Sequence, residues 1–139
     1  MRACGIDLSA RDAIVVILDG TRGAWNVVRC DQRKISLMDD EDARQVRNFR
    51  VAVNAFVNRH GIQRVAVKKR LKRGRFAGGP VSFKMEGLIQ LIETCDIVLF
   101  PSQVIARVAK EHVNRFPVEL QEYQREAFYA ALTALDDLQ

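Results

Sequence analysis

Arg64-Val65-Ala66-Val67-Lys68-Lys69-Arg70-Leu71-Lys72-Arg73-Gly74-Arg75-Phe76-Ala77-Gly78-Gly79-Pro80-Val81-Ser82-Phe83-Lys84-Met85-Glu86 is the stretch on which the fold turns. Its apolar start extends from Ile62 to Lys68 or Lys69 and reads as a buried strand. Its end leads into Gly87-Leu88-Ile89-Gln90-Leu91-Ile92, a helix predicted from Ser82 or a neighbour to about Thr94. From residue 64 to residue 85 there are eight Lys or Arg and no Asp or Glu. A strand, a basic glycine-rich loop and a helix N-terminus in succession point to an anion site, with phosphate as the natural ligand. Lys68, Lys69, Lys72, Arg73, Arg75 and Lys84 are the candidate phosphate-binding cations, and Gly78 and Gly79 would let the backbone approach the ligand. The bland alternative is an exposed, merely soluble loop, and the density of glycines argues against it. No GxxxxGK[ST] pattern occurs, so this is not a nucleotide-binding P-loop. Phe76 and Phe83 flank the glycines and either stack on bases or anchor the loop to the core.

Upstream, residues 2–8 and 12–19 read as two strands, the second with a nearly continuous apolar run from Ile14 to Leu18, which implies cover on both faces. Gly20-Thr21-Arg22-Gly23 reads as a hairpin turn and Ala24 to Cys30 as a third strand. Asp39-Asp40-Glu41-Asp42 supplies a helix start, and Val46, Phe49, Val53, Phe56 and Val57 give that helix an apolar face that ends at Gly61. The strand beginning at Ile62 then lies parallel to the first, because a whole helix intervenes. Downstream come a strand at 96–100, a helix opened by Pro101-Ser102, and a last helix from about Glu119 to Leu135. The order β-β-β-α-β-α-β-α-α predicts an α/β fold. It has a five-stranded mixed sheet in the order 3-2-1-4-5, with helices on both faces.

The 139 residues suit one domain, 1–139, with a real core. The net charge of +5 is unevenly spread: residues 119–137 carry Glu119, Glu122, Glu126, Asp136 and Asp137 against Arg125 alone. A polyanion would meet the middle of the chain and avoid its end. Cys4, Cys30 and Cys95 are odd in number, widely spaced and without a CxxC pair, so they read as buried reduced thiols of a cytoplasmic protein. No apolar run approaches membrane-spanning length, and Asp7 interrupts the N-terminal segment, which is therefore not a signal peptide. Membrane association is not expected.

The layout resembles the ribonuclease H-like fold. Gly5-Ile6-Asp7-Leu8-Ser9 is similar to the first strand of RuvC-type Holliday-junction resolvases and their YqgF-type relatives. That resemblance implies a metal ligand at Asp7, and Glu126 lies near where those enzymes carry helix-borne acids. It therefore implies Mg²⁺ or Mn²⁺ held by Asp7 and Glu126 as catalytic carboxylates. The alternatives are a structural carboxylate at Asp7, capping a turn or paired with Lys68, and a solvated acidic face for Glu119, Glu122 and Glu126. Where resolvases place an acid after the matching strand, this chain has Lys68 and Lys69. A closer resemblance is to a bacterial family of small proteins without an assigned activity. It is carried by Gly74-Arg75-Phe76-Ala77-Gly78-Gly79, by Phe83-Lys84-Met85-Glu86, and by Gln124-Arg125-Glu126-Ala127-Phe128.

Glu86 reads as a first-turn helix acid favoured by the dipole, or as facing the site. His60 and His112 lack partners at metal spacing, and Ser9 lacks a His–Asp arrangement for nucleophilic catalysis. Nucleic-acid binding, to DNA or RNA, is the leading expectation, with metal-dependent phosphodiester hydrolysis compromised by the lysines. The alternative from another class is an inactive fold used as a protein-interaction or regulatory module, with a homodimer or an acidic protein as partner.

Overall fold

The computed structural model describes residues 1–71 and 79–136. Strands β1 (Arg2–Ser9) and β2 (Asp12–Thr21) pair antiparallel along their whole length, from Arg2↔Asp19 to Ser9↔Asp12. Strand β3 (Ala24–Val28) adds antiparallel to the second half of β2. A short strand β4 (Lys34–Ser36) adds to its first half, with Ala13 opposite Ile35. Helix α1 (Ala43–Arg59) then carries the chain back, so that β5 (Arg64–Lys68) lies parallel to β1, and β6 (Asp96–Phe100) lies parallel to β5. The six-stranded sheet therefore runs β3-β2-β1-β5-β6 with β4 beside β2, the expected path plus one strand.

Helices cover both faces, because alternate residues of the central strands feed two cores. Cys4, Ile6 and Leu8 of β1 and Val65 and Val67 of β5 pack with Phe49, Val53 and Phe56 of α1, and with Met85 and Ile89 of α2 (Pro80–Ile89). Ala3 and Ala66 face the other way, onto α4 (Arg125–Ala134), alongside Ile105 and Val108 of α3 (Ser102–Glu111). Every residue from Ala127 to Leu135 is buried, so α4 is an interior helix rather than an amphipathic one. Phe128 anchors it, with Trp25, Phe116 and Tyr129 at ring-centroid distances of 5.2, 5.6 and 4.9 Å.

Four expectations are corrected. The sheet has the extra strand β4, whose three residues offer no sequence period and whose identity comes from pairing with Asp12–Ile14. The last helix begins at Arg125 and not near Glu119, because Gln121 and Gln124 form a reciprocal capping box around a 3₁₀ turn at Glu122–Gln124. Glu119 and Glu122 therefore do not share a helical face with Glu126. Helix α2 spans Pro80–Ile89, with Gly79 as its N-cap and Pro80 in its first turn, so it starts and ends earlier than predicted. Of the three free cysteines only Cys4 is buried; Cys30 and Cys95 are half-buried. No helix among the described residues is long and apolar enough to cross a membrane.

Candidate functional site

The two parallel neighbours β1 and β5 end side by side. Their register, with Ile6 opposite Val67, brings Asp7 and Lys68 next to one another at the carboxyl ends of the strands. Crevices outside strand carboxyl ends are where open α/β sheets bind ligands. Asp7 follows Ala3 and Gly5 on the α4 side by the strand's two-residue alternation, and Lys68 follows Arg64 and Ala66. Gly5 explains how close α4 comes: a Cβ there would stand 1.9 Å from the Ala127 carbonyl oxygen and 2.4 Å from the Ala131 nitrogen. Only glycine lets the helix backbone rest directly on β1, and that seat puts Glu126, in the first turn of α4, over the strand ends.

Helix α4 runs antiparallel to β5, and arginines hold its far end. Arg64 Nη1 donates to the Ala134 carbonyl at 2.8 Å, and Arg22 donates to the carbonyls of Leu132, Thr133 and Leu135. These cations complement the negative pole of the helix, while Glu126 complements the positive pole. Lys68 Nζ donates to Glu126 Oε1 at 2.7 Å, with the lysine side chain only 24% exposed. Charge-assisted hydrogen bonds in partly buried settings are the strong ones. Asp7 sits beside this pair. Burial pushes its carboxyl above the usual range, Lys68 pulls it down, Glu126 pushes it up and Arg70 pulls it down.

Arg70 and Glu86 complete the rim. The Arg70 main-chain N–H donates to Glu86 Oε2 at 3.0 Å, and among the described residues the buried Arg70 Nε has no hydrogen-bond partner. Lys69 is exposed, and its main-chain N–H donates to the Phe100 carbonyl at 2.9 Å, prolonging the β5–β6 pairing by one residue. Helix α3 starts two residues after Phe100 with no side-chain cap, so its first amides also point toward this end of the sheet. A cleft of about 560 Å³ opens between α3 and α4, lined by Lys68, Ser102, Ile105, Lys110, Glu126 and Tyr129 among others. That volume lies within the usual range of ligand sites.

The structure thus brings Asp7, Glu126, Lys68 and Lys69 to one end of the sheet. Gly79 caps α2, with no atom of the described residues within 4 Å of where a Cβ would be. Lys84 is tied to Asp40, by Nζ at 3.1 Å from the carboxylate and 2.6 Å from the carbonyl. Lys72, Arg73, Arg75 and Gly78 lie outside the described residues. Arg70 is the rim residue that the sequence reading does not single out, whereas Glu86 takes the second of its two expected places, facing the site. Glu86 lies in the second turn of α2 and so is not a first-turn acid; its contact is with the Arg70 backbone, sixteen positions back.

The expected Mg²⁺ or Mn²⁺ would have to be held by these donors. Asp7 and Glu126 are two carboxylates, one already ion-paired to Lys68 and the other in surroundings that favour its protonated form. No group of three or more His, Cys, Asp or Glu side chains converges for an ion among the described residues. Hard divalent ions need several oxygen ligands, and an ammonium already bound to one of two available carboxylates repels them. The donor set does not fit a divalent ion.

Residues 1–134 match the family described as "Protein of unknown function (DUF3010)". Among solved structures, RuvC of Thermus thermophilus in complex with Holliday junction substrate is similar at 11% identity and a TM-score of 0.65, over 96% of this chain and 91% of that one. A second Thermus thermophilus RuvC structure gives 13% identity and a TM-score of 0.65, over 96% and 92%. The Fowlpox virus resolvase with Holliday junction DNA gives 11% identity and a TM-score of 0.53, over 96% and 95%. The fold is that of these resolvases. No curated protein matches by sequence.

Proposed function

The chain belongs to the DUF3010 family, and on the charge and shape of its strand-end cleft we propose that it is a nucleic-acid-binding protein that grips the phosphate backbone of DNA or RNA. The observation that carries this reading is that three consecutive cations, Lys68, Lys69 and Arg70, leave the carboxyl end of β5, the sheet end at which the uncapped α3 begins, with Lys69 exposed and the Arg70 Nε buried and unpartnered among the described residues. Three cations and free amides at one sheet end favour an anion, and a backbone of phosphates presents them in series. The segment that follows Arg70 in the sequence supplies Lys72, Arg73 and Arg75, with Gly78 and Gly79, as further candidate phosphate contacts. Lys84 joins it once released from Asp40.

Asp7 and Glu126 hold the cleft's negative charge. Metal-dependent hydrolysis through them is compromised, because Lys68 already neutralises Glu126 and no third acid joins the pair. The reading takes residues 1–139 as one domain working in the cytoplasm. The Thermus and fowlpox structures hold Holliday junction DNA, so branched duplex is the first ligand to try.

Fluorescence anisotropy at low salt, with duplex, branched and single-stranded DNA and with RNA, tests the proposal. At least one form binds, and equally well with EDTA. Absence of binding to every form overturns it and leaves the cleft for an acidic protein partner.

A further inference from the structure

We infer that Lys68 is the resident cation of the cleft and bars a divalent ion from the place between Asp7 and Glu126. The lysine is held from three sides. It ends the strand that pairs with both β1 and β6, so neighbours on either side set its position. The seat of α4 on Gly5 fixes the start of that helix, and with it Glu126. The ammonium lies 2.7 Å from Glu126 Oε1 and only a quarter of its side chain is exposed.

An incoming Mg²⁺ or Mn²⁺ would have to break that charge-assisted hydrogen bond. The displaced ammonium, tethered to a backbone that the sheet fixes, would remain within a side chain's length of the ion and repel it. Arg70 adds a second positive group next to Asp7. Two carboxylates cannot compensate, since a Mg²⁺-type ion wants six oxygens and gives up water reluctantly. An ammonium, by contrast, carries three donors. One goes to Glu126, and the others remain for water or an anion.

This inference concerns the same cleft as the proposed function but does not depend on it, because metal binding is measured without nucleic acid. The experiment is Mn²⁺ titration of the full chain followed by electron paramagnetic resonance, with thermal melts to establish folding. Wild type takes up no Mn²⁺ that Asp7→Asn removes. Lys68→Glu supplies a third carboxylate and binds Mn²⁺ at least roughly tenfold more tightly than wild type, a gain lost when Asp7→Asn is added. Lys68→Gln, which removes the charge with little change in size, gains binding in the same direction and serves if Lys68→Glu does not fold. Mn²⁺ uptake by wild type that Asp7→Asn abolishes overturns the inference. So does a folded Lys68 variant that binds no better than wild type.

Discussion

At the scale of single residues, the strand end is held at a cost to stability. Asp7 is an acid whose carboxyl is raised chiefly by burial, ahead of the opposing pull of Lys68. A raised carboxyl contributes most to the native state below its unfolded value of about 3.9, and that contribution is lost as pH climbs through the folded value. Asp7→Asn is therefore expected to raise Tm at neutral pH, with the gain shrinking as the pH falls toward 4. Equal Tm differences at both ends of that range would contradict the assignment. A second strained position lies three residues on. Ala10 has φ = 54° in the two-residue turn joining β1 to β2, a left-handed conformation that costs a residue with a Cβ about 1–2 kcal/mol. Ala10→Gly should stabilise the chain by up to about 1 kcal/mol in urea denaturation, after glycine's greater unfolded entropy is subtracted. Nothing in the sequence separates this turn from an ordinary polar one. Neither flanking residue is Gly or Asn, so the positive φ is set by the flanking strands, which pair from Ser9↔Asp12 onward.

At the scale of elements, the seat of α4 on β1 decides where the site forms. Gly5→Ala would drive a methyl into the Ala127 carbonyl and the Ala131 backbone. The helix must lift, so a loss of at least about 3 kcal/mol is expected, the upper end for overpacking. Denaturant midpoints check this, and a change under about 1 kcal/mol would mean that α4 slides freely on the sheet. The strands were legible because β2 and β5 carry apolar runs and α1 a clear helical period, with Asp42 capping it by accepting from the Arg44 N–H at 3.0 Å. The start of α4 was not legible. Its residues are apolar all round once buried, so no period marks the boundary, and Gln124 ends the preceding turn by reaching into the core to the Val15 carbonyl at 3.3 Å. Strand β4 was missed because only one of its three residues, Ile35, is buried. The pairing of Lys68 with Glu126 spans 58 positions, and the sequence offered Asp7, not Glu126, as the carboxylate that Lys68 would pair with.

At the scale of the whole molecule, charge is sorted by place. The acids of the last segment are largely occupied: Glu122 holds Arg125 at 2.7 Å, Glu126 holds Lys68, and Asp136 approaches Arg64 at 3.5 Å. The cations leaving β5 are not answered in this way. Among the described residues Lys69 has no side-chain partner, and Arg70 hydrogen-bonds one acid, Glu86, through its backbone alone, while its charge acts on Asp7. This asymmetry was visible in the sequence as eight cations without an acid from residue 64 to residue 85, and its start beside Asp7 follows from the parallel pairing of β1 and β5 that the intervening helix predicted. In the proposed function this strand end, and not the molecule's general positive charge, contacts nucleic acid. The salt dependence of binding tests it most directly, measured for wild type and for Lys69→Gln combined with Arg70→Gln on whichever nucleic acid binds at low salt. The account predicts a log–log slope reduced by about 1.8 on duplex, two contacts at about 0.9 each, together with weaker binding. A double variant with an unchanged slope and affinity would contradict it.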